Sequence, residues 1–193
     1  YFASTLLRPG DHVVGALSVF CGLCPQCLGG RFALCMDGDV KQPPGKAQRL
    51  SHLGQPVSQV FNLSGFAEQF LTHRNALVKV RPDMPLDLAA LLGCAVITGT
   101  GAVFRTARVR PGSTVAVIGC GGVGLAAVNG AHIAGAGRVV AIDTAADKLT
   151  LARRFGATDT VSAADGDAVA RVAELCGGVD YAFECIGLPA TVE

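Results

Sequence analysis

The sequence has little net charge and few charged residues of either sign. Charged residues make up 16% of the 193 residues, and 16 Lys and Arg against 15 Asp and Glu leave a formal net charge of +1. Proteins that bind nucleic acid or acidic membranes need clustered Lys and Arg. Because that basic cluster is missing, the sequence predicts small molecules and sister subunits as partners, and neither nucleic acid nor a membrane.

Two long stretches contain no charged residue at all. They are Leu88–Phe104 and Ser113–Gly137. Each is long enough to suggest a membrane span, but glycines interrupt the first, and the second holds a glycine turn together with Asn129 and His132. Since a hydrophobic content of 50% is ample for a core, both stretches are expected to be buried parts of an α/β protein.

The cysteines are unevenly distributed, with none before residue 21 and four scattered after residue 90. The remaining four form a cluster at Cys21, Cys24, Cys27 and Cys35. Clustering favours a metal site over a disulfide framework, which fits a reducing, cytoplasmic setting. Four thiolates this close can enclose Zn²⁺ in a tetrahedral shell with no position left for substrate, so the predicted zinc is structural.

Two alternatives to structural zinc remain open for this cluster. In the ferredoxin pattern of an iron–sulfur site, a three-residue gap precedes the fourth cysteine and a proline follows it. Here seven residues separate Cys27 from Cys35, and Met36 follows. The other alternative is a zinc ribbon that binds nucleic acid, and the missing basic cluster counts against it.

The most informative stretch runs from Thr114 to Asp143. Its start, Thr114–Ile118, is an apolar, β-branched run typical of a buried parallel strand. The strand leads into the G-x-G-x-x-G spacing of a dinucleotide site, Gly119-Cys120-Gly121-Gly122-Val123-Gly124. The first, second and last glycines of this spacing are expected to allow a tight turn, close approach of a pyrophosphate, and packing of a helix on the sheet. The phosphates would lie at the N-terminus of that helix.

Asp143 ends the second predicted strand, 19 positions beyond Gly124, where an acidic ligand of the cofactor ribose belongs. A carboxylate there accepts hydrogen bonds from the ribose hydroxyls and repels a 2′-phosphate. The next residues, Thr144, Ala145 and Ala146, supply no arginine to bind that phosphate. The sequence therefore predicts NAD rather than NADP, the alternative being a glycine-rich turn that binds nothing and an aspartate that only caps a helix.

Short strand-like runs dominate the first part of the chain. They are His12–Phe20, Gly65–Thr72 and Ala76–Val80, with a polar surface segment between them at Asp37–Gln59. Strands without intervening helices predict a small β-rich domain. Pro85 and Asp87 mark the start of a helix, so two domains are predicted, over residues 1–85 and 86–193.

After Asp143, strands and helices alternate. Helices are predicted at Asp147–Phe155 and Gly166–Cys176, and strands at Thr158–Ser162 and Val179–Ile186. With the first two strands, this makes four parallel strands of a doubly wound sheet, whose complete form has six in the order 3-2-1-4-5-6. The predicted fold class is therefore α/β, with a partial Rossmann domain truncated at its C-terminal end.

Taken together, these motifs resemble those of the zinc-dependent alcohol dehydrogenases of the medium-chain dehydrogenase/reductase family. The resemblance covers nearly the whole chain. Its most specific elements are the lead Pro9-Gly10-Asp11-His12-Val13-Val14, the four-cysteine cluster, Gly65-Phe66-Ala67-Glu68, Gly93-Cys94 with Thr98-Gly99, and the glycine run with Asp143 and Lys148. The resemblance implies part of a GroES-like catalytic domain, with the structural zinc bound by the cluster, followed by the Rossmann domain.

The resemblance also implies roles for single residues. Cys94 would be one of three protein ligands to a catalytic zinc, whose fourth position is taken by water or substrate. The residues expected near cofactor and substrate are Thr98 against the nicotinamide, Lys148 at the adenosine ribose, Ile186 and Gly187 beside the cofactor, and Val60 and Phe61 in the substrate pocket.

The implied reaction oxidises an alcohol to an aldehyde or ketone, with zinc as Lewis acid and NAD as hydride acceptor. In the family, the other catalytic zinc ligands precede the segment that Tyr1 begins, and the strands that pair subunits into homodimers or homotetramers follow Glu193. The 193-residue chain alone is therefore expected to be inactive. The alternatives are a zinc-free reductase of the quinone reductase type, which would lack the cysteine cluster, and a non-catalytic nucleotide-binding zinc scaffold, which would not need Cys94.

Overall fold

A computed structural model describes residues 7–40 and 49–192. The chain divides into two compact units, Tyr1–Cys94 and Ala95–Glu193. Residues 86–93 fall in the first unit, where a Cβ on Gly93 would lie 2.2 Å from the carbonyl oxygen of Gly15. The domain boundary between residues 85 and 86 stays a prediction.

The first unit consists of very short strands and helices. Its strands are β1 (Val13–Gly15), β2 (Leu50–His52), β3 (Gln55–Val57) and β4 (Leu77–Lys79), and its helices are α1 (Pro25–Leu28) and α2 (Leu86–Ala89). Strand β1 pairs antiparallel with β4, and β2 pairs antiparallel with β3. Single 3₁₀ turns cover Phe32–Leu34, Val60–Asn62, Arg74–Ala76 and Ala90–Gly93. A small core forms around Val19, Cys27, Cys35, Val40 and Ala76.

The predicted strand at Gly65–Thr72 is wrong, because this segment has no strand structure. Its apolar residues do not form a buried face, and Phe66 is fully exposed. Side chains, and not a neighbouring strand, bind backbone carbonyls here: the Gln59 amide donates to the Leu71 carbonyl, and the Thr72 hydroxyl donates to the Asn62 carbonyl at 2.8 Å.

Two other sequence predictions for this unit need adjustment. Strand β1 covers only three residues of the predicted His12–Phe20, because the chain turns at Leu17, whose carbonyl accepts a hydrogen bond from the Val19 N–H at 3.2 Å. Within the predicted surface segment Asp37–Gln59, β2 and β3 form a hairpin. Residues 41–48 of that segment lie outside the described part of the chain.

The second unit is a four-stranded parallel sheet flanked by helices. Its strands are β5 (Thr114–Ile118), β6 (Arg138–Asp143), β7 (Asp159–Ser162) and β8 (Tyr181–Glu184), and its helices are α3 (Ala95–Gly101), α4 (Gly122–Ile133), α5 (Ala146–Arg154) and α6 (Ala168–Cys176). A π-helical segment, Ala102–Ala107, follows α3, and a 3₁₀ turn covers Pro189–Thr191. The strand order β7-β6-β5-β8 corresponds to 3-2-1-4 of a Rossmann sheet, so the α/β prediction is confirmed.

Side chains of alternate residues in the central strands pack into two separate hydrophobic cores, one on each face of the sheet. On one face Val117 and Val139 pack with Val128 of α4, and on the other Ala116 and Val140 pack with α6. A parallel strand that is buried on both faces reads as a continuous apolar run, as β5 does. Because β5 pairs in parallel with both β6 and β8, the carboxyl ends of these three strands lie at one edge of the sheet.

Among the described residues, no single helix has both the length and the apolar composition to cross a membrane. One bent pair of helical segments, Leu86–Gly93 and Ala95–Ala107, reaches that length and composition when taken together.

Candidate functional site

The loop between β5 and α4 lies at the carboxyl edge of the sheet. Gly119 has a φ of +89°, which favours glycine, and a Cβ on Gly124 would lie 1.7 Å from the Gly119 carbonyl oxygen. By contrast, nothing lies within 4 Å of the place where a Cβ on Gly121 would be. The fold itself therefore requires Gly119 and Gly124, whereas Gly121 leaves free space beside the loop.

The first turn of α4 is open to a ligand. The helix begins at Gly122, and Gly121 before it provides no side-chain cap for the first N–H groups. Uncapped N–H groups and the helix dipole together favour an anion at this end. The loop therefore has the geometry and the charge preference that a pyrophosphate needs.

Helix α3 passes unusually close to this turn. A Cβ on Gly99 would lie 2.3 Å from the Val123 carbonyl oxygen and 2.7 Å from the Ala126 Cβ. Only glycine allows this approach. Thr98, an exposed residue on α3, directly precedes Gly99, the residue that approaches the first turn of α4.

Asp143 is the one buried charged residue among those that the structure describes. Its Oδ2 accepts a hydrogen bond from the Cys120 N–H at 2.7 Å, and its Oδ1 accepts one from the Ala145 N–H at 2.9 Å. Lys148 Nζ lies 3.9 Å from Oδ2. Burial alone would raise the pKa of Asp143, but the two N–H groups and the Lys148 charge hold the pKa below its ordinary value. The carboxylate is therefore ionised at neutral pH.

A cavity of about 800 Å³ opens at this edge of the sheet, in the size range of cofactor and ligand sites. The predicted site residues that line it are Gly119, Gly121, Asp143, Lys148 and Ile186. Gly122, Val123 and Gly124 form the adjoining first turn of α4. Gly187 and Thr98 are not among the lining residues.

Sequence analysis missed Glu184, the last residue of β8. Its carboxylate accepts hydrogen bonds from the N–H groups of Ile186 and Gly187 and from the Thr191 hydroxyl. The Gly187 N–H, with the other two donors, lowers the pKa of Glu184 below its ordinary value. The available signal was an acid close to the carboxyl end of the predicted strand Val179–Ile186. In the structure Glu184 is the last residue of β8, as Asp143 is the last residue of β6.

The four clustered cysteines lie together in the first unit, around α1 and the turn at Phe32–Leu34. All four Sγ atoms are within 4.8 Å of one another, with 3.5 Å between Cys24 and Cys27 and 3.9 Å between Cys21 and Cys27. A tetrahedral zinc with Zn–S bonds of ~2.3 Å requires sulfur atoms ~3.8 Å apart. The observed separations fit such a centre.

The surroundings of these sulfur atoms shift the pKa values of neighbouring thiols in opposite directions. The Met36 N–H, with that of Cys27, lowers the pKa of the Cys24 thiol to about 6, whereas burial and the neighbouring sulfur atoms raise that of Cys27 to about 12. Backbone N–H groups also donate to Cys21 Sγ at 3.3 Å. A divalent cation would remove this conflict, because it stabilises all four thiolates together.

Cys94, by contrast, belongs to no such group of potential metal ligands among the described residues. In residues 7–40 and 49–192, the four-cysteine cluster is the only group of three or more potential metal ligands. Cys94 is exposed and follows the 3₁₀ turn Ala90–Gly93 at the end of the first unit.

Val60 and Phe61 lie in another 3₁₀ turn of the first unit, and both are exposed. Phe61 has a left-handed φ of 50°. It lines a cavity of about 330 Å³ with Leu17 and Val19.

Residues 122–193, which include α4 and the last three strands, match the family model described as "Zinc-binding dehydrogenase". Over these residues the chain is therefore similar to the zinc-binding dehydrogenases. The chain spans about half the length of the curated relatives it matches. Its similarity to them extends well beyond the residues of the family model, through both units.

Three proteins illustrate this similarity. The S-(hydroxymethyl)glutathione dehydrogenase of Escherichia coli O1:K1 / APEC is 42% identical over 192 residues, covering 95% of this chain and 52% of the relative. An alcohol dehydrogenase zinc-binding domain protein from Burkholderia ambifaria has a TM-score of 0.86 and 38% identity, over 96% of this chain and 52% of that one. The benzyl alcohol dehydrogenase of Acinetobacter calcoaceticus has a TM-score of 0.81 and 33% identity, over 97% and 52%.

One similar structure contains a cofactor. It is a zinc-binding dehydrogenase from Sinorhizobium meliloti 1021 bound to NADP, with a TM-score of 0.72 and 31% identity over 97% of this chain and 50% of that one. The related proteins are therefore zinc-type alcohol dehydrogenases, and a nicotinamide cofactor is consistent with this family.

The two glycines of the loop should respond differently to a methyl group. Gly124→Ala should lower the free energy of unfolding by more than about 2 kcal/mol, because its Cβ overlaps the Gly119 carbonyl. Gly121→Ala should change it by less than about 0.5 kcal/mol, since the Cβ meets nothing. Urea unfolding followed by circular dichroism measures both, and equal losses would contradict the assignment of separate roles.

Asp143→Asn should destabilise the second unit by about 1–3 kcal/mol at pH 7, because one backbone N–H loses its acceptor. The pKa of Asp143 is lowered in the folded state, so the stability from its ionised form is present above the unfolded pKa of about 3.9 and is lost as pH falls further. The difference between wild type and variant should shrink below about pH 4. Unfolding curves between pH 3 and 7 measure it, and a constant difference would contradict this role.

Proposed function

We propose that the chain is part of a longer, NAD-dependent zinc alcohol dehydrogenase that oxidises an alcohol to an aldehyde or ketone. The observation that carries this proposal is the arrangement at the sheet edge. An ionised Asp143 is bonded to the glycine loop and lines the same cavity as Gly121 and the open start of α4. This combination suits a dinucleotide with an unphosphorylated ribose.

Each part of the cofactor site has a separate task in this proposal. The free space at Gly121 lets the pyrophosphate approach the first N–H groups of α4. Asp143 accepts hydrogen bonds from the adenosine ribose, and Lys148, half-exposed at 3.9 Å from it, supports the same group. Thr98 contacts the nicotinamide, and Ile186 and Gly187 lie beside the cofactor.

Zinc has two roles in the proposal. The cluster of Cys21, Cys24, Cys27 and Cys35 holds a structural zinc. Cys94 would be one ligand of a catalytic zinc, which would supply Lewis-acid stabilisation of the substrate oxygen, and a bound nicotinamide would supply the hydride acceptor. Val60 and Phe61 contribute to the substrate pocket. The relatives named for S-(hydroxymethyl)glutathione and benzyl alcohol suggest primary alcohols and formaldehyde–thiol adducts as substrates.

A non-catalytic role is the second candidate, and it concerns the 193-residue chain by itself. Within residues 7–40 and 49–192, Cys94 belongs to no group of three or more potential metal ligands. We infer that the isolated chain binds nucleotide and one zinc but turns nothing over. A zinc-free reductase is disfavoured by the geometry of the cysteine cluster. Assembly into homodimers or homotetramers, a cytoplasmic location and the lack of nucleic-acid or membrane partners stay predictions.

The experiment compares zinc content and alcohol-dependent NADH formation in the full-length protein, its Cys27→Ser and Cys94→Ala variants, and the 193-residue chain. The full-length protein should hold about two zinc ions, one structural and one catalytic. Each variant should hold about one, because Cys27→Ser removes a ligand of the structural zinc and Cys94→Ala removes a ligand of the catalytic zinc. Cys94→Ala should lose at least about 10²-fold in turnover and keep NADH binding. Ethanol, benzyl alcohol and S-(hydroxymethyl)glutathione are the substrates to test.

Two results would contradict the proposal. Full activity in Cys94→Ala would favour a scaffold or a zinc-free reductase. Turnover by the 193-residue chain alone would show that Cys94 needs no ligands from outside it.

A further inference from the structure

The chain beyond β8 folds back onto the last residue of that strand. Glu184 Oε1 accepts hydrogen bonds from the Ile186 N–H at 2.7 Å, the Gly187 N–H at 2.9 Å and the Thr191 hydroxyl at 2.9 Å. Its Oε2 accepts a second, longer bond from the Gly187 N–H at 3.1 Å. One carboxylate therefore fixes three points of the segment 186–191.

This segment forms a wall of the cavity at the sheet edge. Ile186, Leu188 and Thr191 line the cavity together with Gly119 and Gly121. The Ile186 Cγ1 atom lies only 2.6 Å from the place where a Cβ on Gly119 would be. Ile186 therefore packs directly against the first glycine of the loop.

The position of this wall depends on few other bonds. The Cys185 N–H donates to the Ile118 carbonyl at 2.8 Å, which continues the pairing of β8 with β5. Beyond that point Ile186 is about half-exposed, and Gly187 has a φ of +83°. Ile186 and Gly187 lie in neither a helix nor a strand, and the bonds of the following 3₁₀ turn, from the Thr191 N–H and hydroxyl to the Leu188 carbonyl, stay within the segment. The hydrogen bonds to Glu184 are therefore the ones that join the segment to the end of β8.

We propose that Glu184 is a positioning residue of the cofactor site, which holds the Ile186 side chain against the glycine loop and so sets the affinity for the dinucleotide. This inference rests on the proposed function, because it assumes that a nicotinamide dinucleotide occupies the cavity. Glu184 acts through Ile186 and the segment 186–191, not by contact with the reacting atoms. It was not among the residues that the sequence motifs indicated.

A matched control lies at the opposite end of the same sheet. Asp180 Oδ2 accepts a hydrogen bond from the Thr114 N–H at 2.8 Å, so it also joins a carboxylate to backbone next to β8. Asp180 does not line the cavity. Its replacement removes a similar bond without touching the cofactor wall.

The test uses the full-length protein with the variants Glu184→Ala, Glu184→Gln, Thr191→Val and Asp180→Ala. The Kd for NADH is measured by fluorescence titration, alongside KM for NAD, KM for alcohol, zinc content and Tm. Glu184→Ala should raise the NADH Kd and the KM for NAD about tenfold, with KM for alcohol and zinc content unchanged. Glu184→Gln keeps an acceptor oxygen and should raise the Kd less than about threefold, and Thr191→Val should also raise it by a few fold.

The control separates positioning from stability. Asp180→Ala should lower Tm without changing the NADH Kd. If Glu184→Ala does not fold, Glu184→Gln and Thr191→Val carry the test, and unchanged Kd values in both overturn the inference. If wild type binds NADH and folded Glu184→Ala binds it equally well, this inference alone is overturned. A wild type that binds no NADH overturns the proposed function as well.

Discussion

The hydrogen bond from the Cys120 N–H to the Asp143 carboxylate, at 2.7 Å, joins the loop after β5 to the end of β6. The two strands are parallel and in register, with Ile118 opposite Ile142, so the loop and the acid necessarily meet. A buried carboxylate is costly unless N–H groups satisfy it. Asp143 therefore fixes the shape of the glycine loop and presents a negative charge beside it, and in the proposed function the same side chain also sets the choice of cofactor.

The two units achieve order by different means. In the second unit, strands buried on both faces and close helix packing at Gly99 make a rigid frame whose edge carries Asp143 and Glu184. The first unit has strands of only three residues and a small core that includes Cys27 and Cys35. A unit with so little apolar burial gains much of its stability when a metal is bound, because the free energy of binding then adds to folding.

Sequence patterns located the sheet because continuous apolar runs report burial on both faces, and the strand at Thr114–Ile118 has those bounds in the structure. The short strand-like run at Gly65–Thr72 was misleading, since side-chain hydrogen bonds there replace strand pairing. Glu184 escaped notice because its role depends on N–H groups of residues that follow it, and no motif encodes that geometry. The surroundings of Cys94 could not be predicted either, because a metal site depends on ligands distant in the chain.

The most direct test of this account is calorimetric titration of the full-length protein with NADH and with NADPH, in wild type and in Asp143→Ala. The account predicts that wild type binds NADH at least about tenfold more tightly than NADPH, because Asp143 repels a 2′-phosphate. The preference should disappear in the variant. Equal or tighter binding of NADPH by wild type would contradict the role given to Asp143.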